Sequence, residues 1–376
     1  MGNLVCYAVV TPGLEALAAD ELNELAAHDV KTEAGGVSFT TTMDGLFRIN
    51  LRSRICTRIL LRLASFRALS FPELYNKSRK TAWEHYIDPH TAISVRASCS
   101  GSKLMHSGRA EQALADAIRD RLGFDTKGAI DAEDGEQQIL LRIDNNRCTI
   151  SLDSSGERLD RRGYRLHSGK APLRETIAAA ILRWAEWQRE EPLLCPMCGS
   201  GTFAIEAAWL ATKRAPGLDH VFPFASWPSL KEKRWQRARS KAEAMQQGEI
   251  QACIVASELD SAILAQAKEN ASTAGVGGII CFEQRDVRTL TVPKQCETAG
   301  VIVCNPPYGN RVKGNVLSLY RALGRQFKEQ FSDWRMTVIV PDKQCEKALG
   351  LQVKKQLKFR HGGKWVRLLC VDNHGN

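Results

Sequence analysis

The residues from Val301 to Asn310, VIVCNPPYGN, combine an apolar strand with a rigid polar turn. Pro306 and Pro307 remove two backbone N–H donors and fix φ, so the free backbone groups of this turn are carbonyl oxygens. Asn305 adds a side-chain acceptor, and Tyr308 adds a planar face. Two acceptors beside an aromatic ring suit a planar heterocycle with an exocyclic amine, because the acceptors hold the NH2 group while the ring stacks on the base.

A second segment, PLLCPMCGSGTFAIEAA, has the pattern of a short strand, a glycine-rich turn and a helix. Gly199 and Gly201 let the backbone turn tightly and approach a ligand, and with Ala204 they match a dinucleotide-binding fingerprint. In a nicotinamide enzyme a ribose-binding acid follows about 20 residues later. Here the next acid that ends a strand is Glu258, 57 residues beyond Gly201, which disfavours that class. Glu258 could still hold a ribose diol, and Asp286 could accept from an adenine amine.

The 12 cysteines are scattered along the chain, and several lie inside apolar runs. Cys195 and Cys198 form the one C-x-x-C, and neither a second such pair nor a pair of histidines completes a zinc site. A thioredoxin-like redox motif is an alternative, since that motif also follows a strand and begins a helix. We predict neither a metal site nor a disulfide framework.

The predicted helices and strands that position these residues follow one pattern in the first part of the chain and another in the second. Up to residue 155 strands and helices are mixed, with a strand at Leu4–Val10, a helix at Leu14–Leu25 and two strands, 139–143 and 148–152, joined by a turn at Asp144-Asn145-Asn146. After a polar, basic stretch, strands and helices alternate, which is typical of a doubly wound, mostly parallel sheet. The predicted alternation is helix 173–188, strand Leu193–Leu194, helix 201–211, strand Ala252–Ala256, helix 260–274 capped by Asp260, strands Gly278–Phe282 and Gly300–Cys304, helix 316–330 and strand Met336–Val340.

The composition is that of a globular protein with more than one domain. The chain has 376 residues, 44% of them hydrophobic, and a net charge of +10. Residues 1–170 carry 23 basic and 22 acidic side chains, whereas residues 171–376 carry 29 and 20, so the second half is expected to meet a polyanion. Between Arg48 and Arg67 there are six arginines and no acid, which indicates either a solvated face or a surface that contacts phosphates.

The sequence also predicts where the protein works. Its longest apolar candidate, Ile177–Trp187, is interrupted by Arg183 and Glu186, so no run approaches the ~18 residues of a membrane span. The first ten residues lack the basic start of a signal peptide. We therefore expect a cytoplasmic protein.

Five segments resemble a known enzyme family. The sequences SLDSSGERLDRRGYR (151–165) and APLRETIAAAIL (171–182) are similar to the domain junction and first catalytic helix of THUMP-domain, S-adenosylmethionine-dependent RNA methyltransferases that modify guanine N2. RAPGLDHVFPFASWP (214–228) resembles the family insertion, CPMCGSGT its glycine-rich motif and NPPYG its catalytic turn. The resemblance covers nearly the whole chain and is greatest to the bacterial 23S ribosomal RNA type. One position departs: Cys195 stands where the family usually has an Asp near the methionine end of the cofactor.

The resemblance implies an α/β fold in which α+β modules precede a Rossmann-like class I methyltransferase domain with a doubly wound, mostly parallel sheet. It places an N-terminal ferredoxin-like portion at residues 1–43, a THUMP RNA-binding domain at 44–155, a linker at 156–170 and the methyltransferase domain at 171–376. It further implies S-adenosylmethionine as cofactor, RNA as partner, and no membrane or metal.

The resemblance also assigns the residues of the site. The implied catalytic residues, which hold the target amine and stack on the base, are Asn305, Pro306, Pro307 and Tyr308. The implied cofactor-binding residues are Thr176, Cys195, Pro196, Gly199, Gly201, Thr202, Glu258, Asp286, Val287 and Asn305. Among these, the glycines line the methionine moiety, Glu258 takes the ribose hydroxyls and Asp286 takes the adenine amine.

Several activities stay open at this point. Transfer RNA is an alternative to ribosomal RNA as the substrate. The same turn serves adenine N6 methylation, because both amines have two hydrogens, although a DNA adenine methylase would carry a DNA-target domain instead of a THUMP-like module. A catalytically inactive RNA-binding scaffold is favoured only by Cys195. An oxidoreductase that uses the glycine-rich turn is the weakest alternative.

Overall fold

The structure of the protein is a computed structural model, and it describes residues 3–88, 90–123, 137–166, 172–248, 253–307 and 316–372. The chain forms two compact units. The first draws its residues from Met1–Val10, Glu21–Leu159 and His220–Lys241, and the second from Thr11–Asp20, Asp160–Asp219 and Ala242–Asn376. The domain boundaries predicted at residues 43, 155 and 170 stay a prediction, because these units are defined by compactness alone.

The elements up to residue 159 include a seven-stranded sheet. In chain order they are β1 (Leu4–Val9), α1 (Glu15–Glu24), β2 (His28–Glu33), β3 (Gly36–Thr41), α2 (Met43–Arg52), β4 (Arg58–Arg67), α3 (Phe71–Ser78), β5 (Ile93–Ser100), α4 (Ser107–Leu122), β6 (Gln137–Asp144) and β7 (Arg147–Asp153). The strand order is β2-β3-β1-β4-β7-β6-β5. Its pairs are antiparallel except for β5 with β6.

Local sequence signals account for much of this unit. The predicted turn between β6 and β7 is confirmed: Asn145 and Asn146 have φ of 50° and 63°, the positive values that Asn tolerates better than most residues. The strand β2 was not predicted, because its sequence HDVKTE is polar and nearly every residue is exposed. Such a charged edge strand has no periodic apolar face to reveal it.

The elements after residue 160 form a second seven-stranded sheet with helices between its strands. They are α5 (Glu175–Trp184), β8 (Leu193–Pro196), α6 (Thr202–Ala211), α7 (Glu232–Ala244), β9 (Ile254–Glu258), α8 (Ser261–Thr273), β10 (Ile280–Gln284), β11 (Val301–Cys304), α9 (Val316–Gln330), β12 (Arg335–Val340), α10 (Lys343–Leu349), β13 (Val353–His361) and β14 (Lys364–Asp372). The order β10-β9-β8-β11-β12-β14-β13 has five parallel strands followed by an antiparallel hairpin. The predicted doubly wound, mostly parallel sheet is confirmed, while the β13–β14 hairpin was not predicted.

The order of these strands fixes where a ligand can bind. From β8 the chain adds β9 and β10 on one side, and then returns to place β11 and β12 on the other side. Every residue of β8 and β11 is buried. The reversal creates a crevice at the carboxyl ends of these two strands, where open α/β sheets bind their ligands.

The polar stretch predicted as a linker contains buried charge. Arg162 and Glu206 form an ion pair at 3.1 Å, and both side chains are fully buried. The Tyr164 hydroxyl donates to the same Glu206 oxygen at 3.1 Å. Two residues of this polar stretch, Arg162 and Tyr164, therefore contribute to the interior of the second unit, and the linker at 156–170 stays a prediction.

The aromatic residues of the insertion after α6 pack within the first unit. The Phe224 ring lies 5.0 Å from the Phe47 ring and 5.0 Å from the Trp235 ring, measured between centroids. The Trp227 indole N–H donates to Gln137 Oε1 at 2.7 Å. The part of the insertion from His220 to Lys241 thus belongs to the same compact unit as the mixed sheet, although it follows α6 in the chain.

The run of six arginines is divided by the fold. Arg58 on β4 forms an ion pair with the fully buried carboxylate of Asp153, so its charge is already matched inside the protein. Arg48 on α2 is exposed, and Arg62 on β4 is half-buried. Charge reversal of Arg58 is therefore expected to disrupt this pair and to destabilise the fold, so a loss of RNA binding in that variant would not identify a phosphate contact.

Candidate functional site

The glycine-rich turn begins directly where β8 ends. Met197, Gly199 and Gly201 have φ of 54°, 54° and 81°, so three residues of this turn are in the left-handed region. A Cβ atom added to Gly199 would meet nothing within 4 Å, whereas one added to Gly201 would lie 3.3 Å from Ala267 Cβ. Gly199 therefore borders open space where a ligand can approach the backbone, and Gly201 allows the turn to pack on α8.

The turn is attached to the neighbouring strand by two hydrogen bonds. The Cys198 N–H donates to the Ser257 carbonyl at 2.9 Å, and the Gly199 N–H donates to Glu258 Oε2 at 3.0 Å. Glu258 Oε1 accepts from the Leu259 N–H at 2.9 Å. The resemblance assigned both Gly199 and Glu258 to the cofactor, and the structure joins them by a direct hydrogen bond, while their roles toward the cofactor stay a prediction. Oε1 also accepts from the Asp260 N–H at 3.5 Å, whereas Oε2 retains a lone pair that a hydroxyl could use.

The Arg165 guanidinium holds the turn from the other side. It donates to Ser200 Oγ at 2.7 Å, to Thr202 Oγ1 at 3.0 Å and to Glu175 Oε1 at 2.9 Å, and it also bonds the Leu173 carbonyl. These bonds join the glycine-rich turn to the start of α5. Sequence analysis missed Arg165, because an Arg in a polar stretch gives no sign of burial.

Replacing Arg165 should loosen the cofactor pocket without removing any cofactor contact. We expect Arg165→Met to weaken cofactor binding about tenfold or more, because several charge-assisted hydrogen bonds to the turn are lost together. Arg165→Lys keeps the charge but cannot reproduce the planar set of bonds, so it should recover only part of the affinity. Isothermal titration with S-adenosylhomocysteine measures both. If Arg165→Met and the parent protein bind S-adenosylhomocysteine with equal affinity, the glycine-rich turn keeps its shape without the Arg165 hydrogen bonds.

Asn305 follows β11, the strand beside β8 at the crevice. Its Oδ1 atom is buried and accepts no hydrogen bond from any described residue. Pro306 is buried and Pro307 half-buried. Tyr308 lies outside the described residues, so its predicted stacking role stays a prediction. An unmatched buried acceptor is costly, and it is expected where a ligand supplies the missing donor.

A second unmatched atom lies on α5. Thr176 is almost fully buried, and its Oγ1 has no hydrogen-bond partner among the described residues. With the open space at Gly199 and the Glu258 carboxylate, this atom provides the polar partners and the room that a nucleoside with an amino-acid tail requires. The residues present therefore fit S-adenosylmethionine, and Pro196, Gly201 and Thr202 lie in the same strand–turn–helix segment.

The predicted adenine-binding residue already has a strong partner. Asp286 follows β10, and both of its carboxylate oxygens accept from the Arg288 side chain, with Nε at 3.0 and 2.9 Å. The hydrogen bonds from Arg288 lower the pKa of Asp286, so the carboxylate is charged at neutral pH. An adenine amine would have to share this carboxylate with Arg288. The neighbouring Val287 is buried in the core beneath.

Comparison with known proteins assigns the three parts of the chain. Residues 162–367 match the RMKL-like methyltransferase domain, residues 6–60 the RlmL ferredoxin-like domain and residues 68–153 the THUMP domain. The chain belongs to the RMKL-like methyltransferase family. The family predicted from the sequence is therefore confirmed, as are its ferredoxin-like and THUMP modules.

Relatives of this methyltransferase share its whole length. A protein of Synechocystis sp. named as a proposed RNA methyltransferase is 35% identical over 370 residues, covering 96% of this chain and 95% of its own. The ribosomal RNA large subunit methyltransferase K/L of Syntrophotalea carbinolica is 35% identical over 97% of this chain, which spans only 53% of that longer protein. The crystal structure of SMU.472, named as a proposed methyltransferase, in complex with S-adenosylhomocysteine has a TM-score of 0.87 and 26% identity, and the match covers 100% of both chains.

The thiols of the methyltransferase's C-x-x-C are poorly reactive. Cys195 is fully buried, and burial raises the pKa of its thiol well above its usual value. Burial and the nearby Glu258 carboxylate raise the pKa of Cys198 as well. Both side chains are therefore neutral thiols at physiological pH, whereas redox motifs depend on a thiolate. Within the described ranges no cluster of three or more His, Cys, Asp or Glu side chains could hold a metal ion. Those ranges also contain no helix with the length and apolar character of a membrane span.

Replacing Cys195 by the residue usual in the family should strengthen cofactor binding. We expect Cys195→Asp to bind S-adenosylmethionine about ten- to a hundredfold more tightly, because a charge-assisted contact to the cofactor's ammonium group contributes roughly 1.5–3 kcal/mol. The position is fully buried, so the carboxylate should also lower the melting temperature of the cofactor-free protein. Burial raises the pKa of such a carboxyl, so the gain in affinity should disappear as the pH falls and the group becomes protonated.

Calorimetry at two pH values tests this prediction, with Cys195→Asn as the uncharged control of the same shape. A parallel titration with and without dithiothreitol, repeated on Cys198→Ser, tests the alternative that the two thiols switch the site by oxidation. If Cys195→Asp binds no better than Cys195→Asn, another group holds the ammonium.

Proposed function

We propose that the chain transfers the methyl group of S-adenosylmethionine to the exocyclic N2 amine of a guanine in structured RNA, with 23S ribosomal RNA as the substrate. S-adenosylmethionine is the methyl donor. The proposal assigns Asn305, Pro306, Pro307 and Tyr308 to the target base. It assigns the strand–turn–helix segment after β8, with Thr176, Glu258, Asp286 and Val287, to the cofactor.

The Oδ1 atom of Asn305 carries this proposal, because it is buried and accepts no hydrogen bond from any residue that the structure describes. An amide oxygen in such a position can accept a hydrogen bond from an N–H group of a ligand. The Pro306 carbonyl is the next acceptor along the chain. An exocyclic amine has two hydrogens to give. Because β11 lies beside β8, these acceptors occupy the same crevice as the glycine-rich turn, where the methyl group would be presented.

The chemistry of the amine explains why two acceptors are needed. The lone pair of a guanine N2 is delocalised into the ring, so the amine is a weak nucleophile. When Asn305 Oδ1 and the Pro306 carbonyl accept its two hydrogens, the nitrogen becomes more tetrahedral and its lone pair points away from the ring plane. The same oxygens stabilise the positive charge that develops on nitrogen. When bound, the cofactor supplies a methyl group on a positively charged sulfur.

No general base is needed before the transfer. The methylated nitrogen is strongly acidic and loses its extra proton to water, so positioning accounts for most of the rate. To place a base from folded RNA in the crevice, the enzyme must move it out of its stack, which costs a few kcal/mol. Stacking on an aromatic side chain offsets part of this cost, and Tyr308 is our candidate for that role.

The choice of RNA rests on the modules and relatives of the chain. A THUMP domain at residues 68–153 precedes the methyltransferase domain. Two relatives that are about a third identical to this chain over the aligned residues are named as ribosomal RNA large subunit methyltransferases. Those relatives are about twice as long as this chain, which covers 53% and 48% of their lengths. Transfer RNA and an adenine N6 amine are the substrates that would replace our choice. Cytoplasmic location stays a prediction.

Mapping of methylated nucleosides distinguishes these substrates. Ribosomal and transfer RNA are isolated from a strain that lacks the gene and from its parent, digested and compared by mass spectrometry. We expect one N2-methylguanosine to disappear from 23S ribosomal RNA. Loss of the same nucleoside from transfer RNA would replace the substrate, and loss of N6-methyladenosine would replace the target amine.

A further inference from the structure

On one face of the first unit's sheet, five strands carry no helix among the residues that the structure describes. On β6 burial alternates: Ile139, Leu141 and Ile143 are buried, whereas Leu140 is half-buried and Arg142 exposed on the opposite face. The outward sides of β1, β4, β5, β6 and β7 line a cavity of about 770 Å³. No described helix contributes a residue to this lining.

The lining combines an apolar floor with a basic rim. Val5, Ala64 and Leu140 are among its apolar residues, and Val5 is 46% exposed. Arg96, Arg142 and Arg147 are all exposed. The four arginines of the lining, Arg62, Arg96, Arg142 and Arg147, outnumber its two acids, Glu33 and Asp144. Arg62 and Arg142 are paired with these two acids, at 3.5 Å from Glu33 and 3.3 Å from Asp144, and the lining keeps an excess of two positive charges. An exposed apolar surface beside an excess of cations suits a ligand that has flat apolar faces and negative charges together.

A stacked pair crosses the floor from β1 to β4. The Arg62 guanidinium lies over the Tyr7 ring, with Cζ 4.6 Å from the ring centroid. Arg62 also lies 3.5 Å from Glu33, a partly exposed pair that contributes little. An adjoining cavity of about 470 Å³ shares Arg62 and adds Lys77 and Lys80 at its edge. A planar guanidinium that is held flat on an aromatic ring can in turn stack on a nucleobase.

We propose that this open sheet face binds a single-stranded segment of the RNA substrate, with bases on the apolar floor and phosphates at the arginine rim. The inference rests on the proposed function, which makes RNA the substrate, and it adds the surface and the form of RNA that binds there. Five strands spaced about 4.8 Å apart span about 19 Å. A four-stranded sheet in other RNA-binding folds holds two or three stacked bases, so the face is wide enough for a similar segment.

The floor favours an unpaired strand over a duplex. In an A-form helix the bases are stacked inside, and a shallow protein surface meets only phosphates and 2′-hydroxyls. Such a ligand would leave the exposed side chain of Val5 and the half-buried side chain of Leu140 facing polar groups. An unpaired strand can turn its bases toward the floor and keep its phosphates near Arg96, Arg142 and Arg147.

Fluorescence anisotropy with the full chain tests this surface. The probe is a short single-stranded RNA of mixed sequence, and a blunt RNA duplex of the same length is the comparison. We expect the Arg96→Glu/Arg142→Glu double variant to bind the single strand at least about tenfold more weakly at low salt. Loss of two phosphate contacts should also reduce the salt slope by about 1.4, since each contact on single strands contributes about 0.7. Arg62→Lys keeps the positive charge but lacks the planar guanidinium that can stack on a base. The affinity of this variant for the single strand should therefore fall about fivefold or more.

Arg48→Glu is the matched control, because it reverses one exposed arginine of the same unit on helix α2, outside the cavity. Its affinity for the single strand should stay within about twofold of the parent protein. Unchanged cofactor affinity and melting temperature in all variants show that the fold is intact. If the double variant binds like Arg48→Glu, or if the duplex binds as tightly as the single strand and loses affinity equally, the proposal is wrong. Failure of the parent protein to methylate guanine would overturn the proposed function instead, whatever the binding results.

Discussion

Asn305→Ala should lower kcat for methyl transfer by at least about a hundredfold while S-adenosylmethionine affinity changes only a few fold. The expected size follows from other enzymes, in which removal of one positioned group that stabilises developing charge reduces kcat by about 10²–10³. The Asn305 oxygen is buried and has no partner among the described residues, so its free hydrogen-bonding capacity is available to the target amine. Its loss removes an interaction that is made mainly in the transition state, which lowers kcat rather than cofactor binding.

Single-turnover kinetics with RNA and calorimetry with the cofactor measure the two quantities separately. Asn305→Asp is an informative second variant, because it retains acceptor oxygens in the same place but adds a charge. If the role of the Asn305 side chain is to accept a hydrogen bond from the target amine, we expect Asn305→Asp to keep more activity than Asn305→Ala. An Asn305→Ala enzyme with nearly normal kcat would contradict the assignment of Asn305 to the target amine.

Glu206→Ala should destabilise the methyltransferase domain by about 3–5 kcal/mol, because it removes the carboxylate from a fully buried ion pair. The Arg162 and Glu206 side chains are both fully buried, and the Tyr164 hydroxyl also donates to Glu206. For a domain of this size, that loss corresponds to a decrease in Tm of roughly 6–20 °C. Differential scanning calorimetry measures the change.

Two controls separate buried charge from general damage. The double variant Arg162→Met/Glu206→Leu replaces the pair by apolar side chains of similar length and should recover most of the lost Tm. Glu190→Ala removes one partner of the exposed pair with Arg189 and should change Tm little. If Glu206→Ala has the same Tm as the parent protein, water must reach Arg162 and the pair is not buried in solution.

The sequence predicted those parts of the site that depend on local patterns. The strand before Asn305, the glycine-rich turn and the acid at the end of β9 each have a short signature: an apolar run, glycines that accept positive φ, or a polar residue where a run ends. Their meeting at one crevice follows from the order of a doubly wound sheet. Asp260 was correctly predicted as a helix cap, because a polar residue just before a helical pattern is also a local signal. Its side chain accepts from the N–H groups of Ala262 and Ile263.

The residues that the sequence did not reveal act through distant contacts. Arg162, Tyr164 and Arg165 lie in a segment whose polar composition predicts exposure, and only their partners on α5, α6 and the glycine-rich turn make burial favourable. Such pairings depend on tertiary structure and have no local period. The strands β2 and β13 were missed for a related reason: many of their residues are charged or polar and exposed, so their apolar content is low. This reason does not apply to β14, whose sequence KWVRLLCVD is largely apolar.

The most direct test of the account is methylation of defined RNA by the purified protein. Ribosomal RNA from a strain that lacks the gene is incubated with S-adenosylmethionine that carries an isotopically labelled methyl group, then digested and analysed by mass spectrometry. We predict that the label appears in N2-methylguanosine, that it is absent with Asn305→Ala, and that it is lost when inosine, which has no N2 amine, replaces the target guanosine. Label in N6-methyladenosine, or transfer that persists on the inosine-containing RNA, would contradict the account.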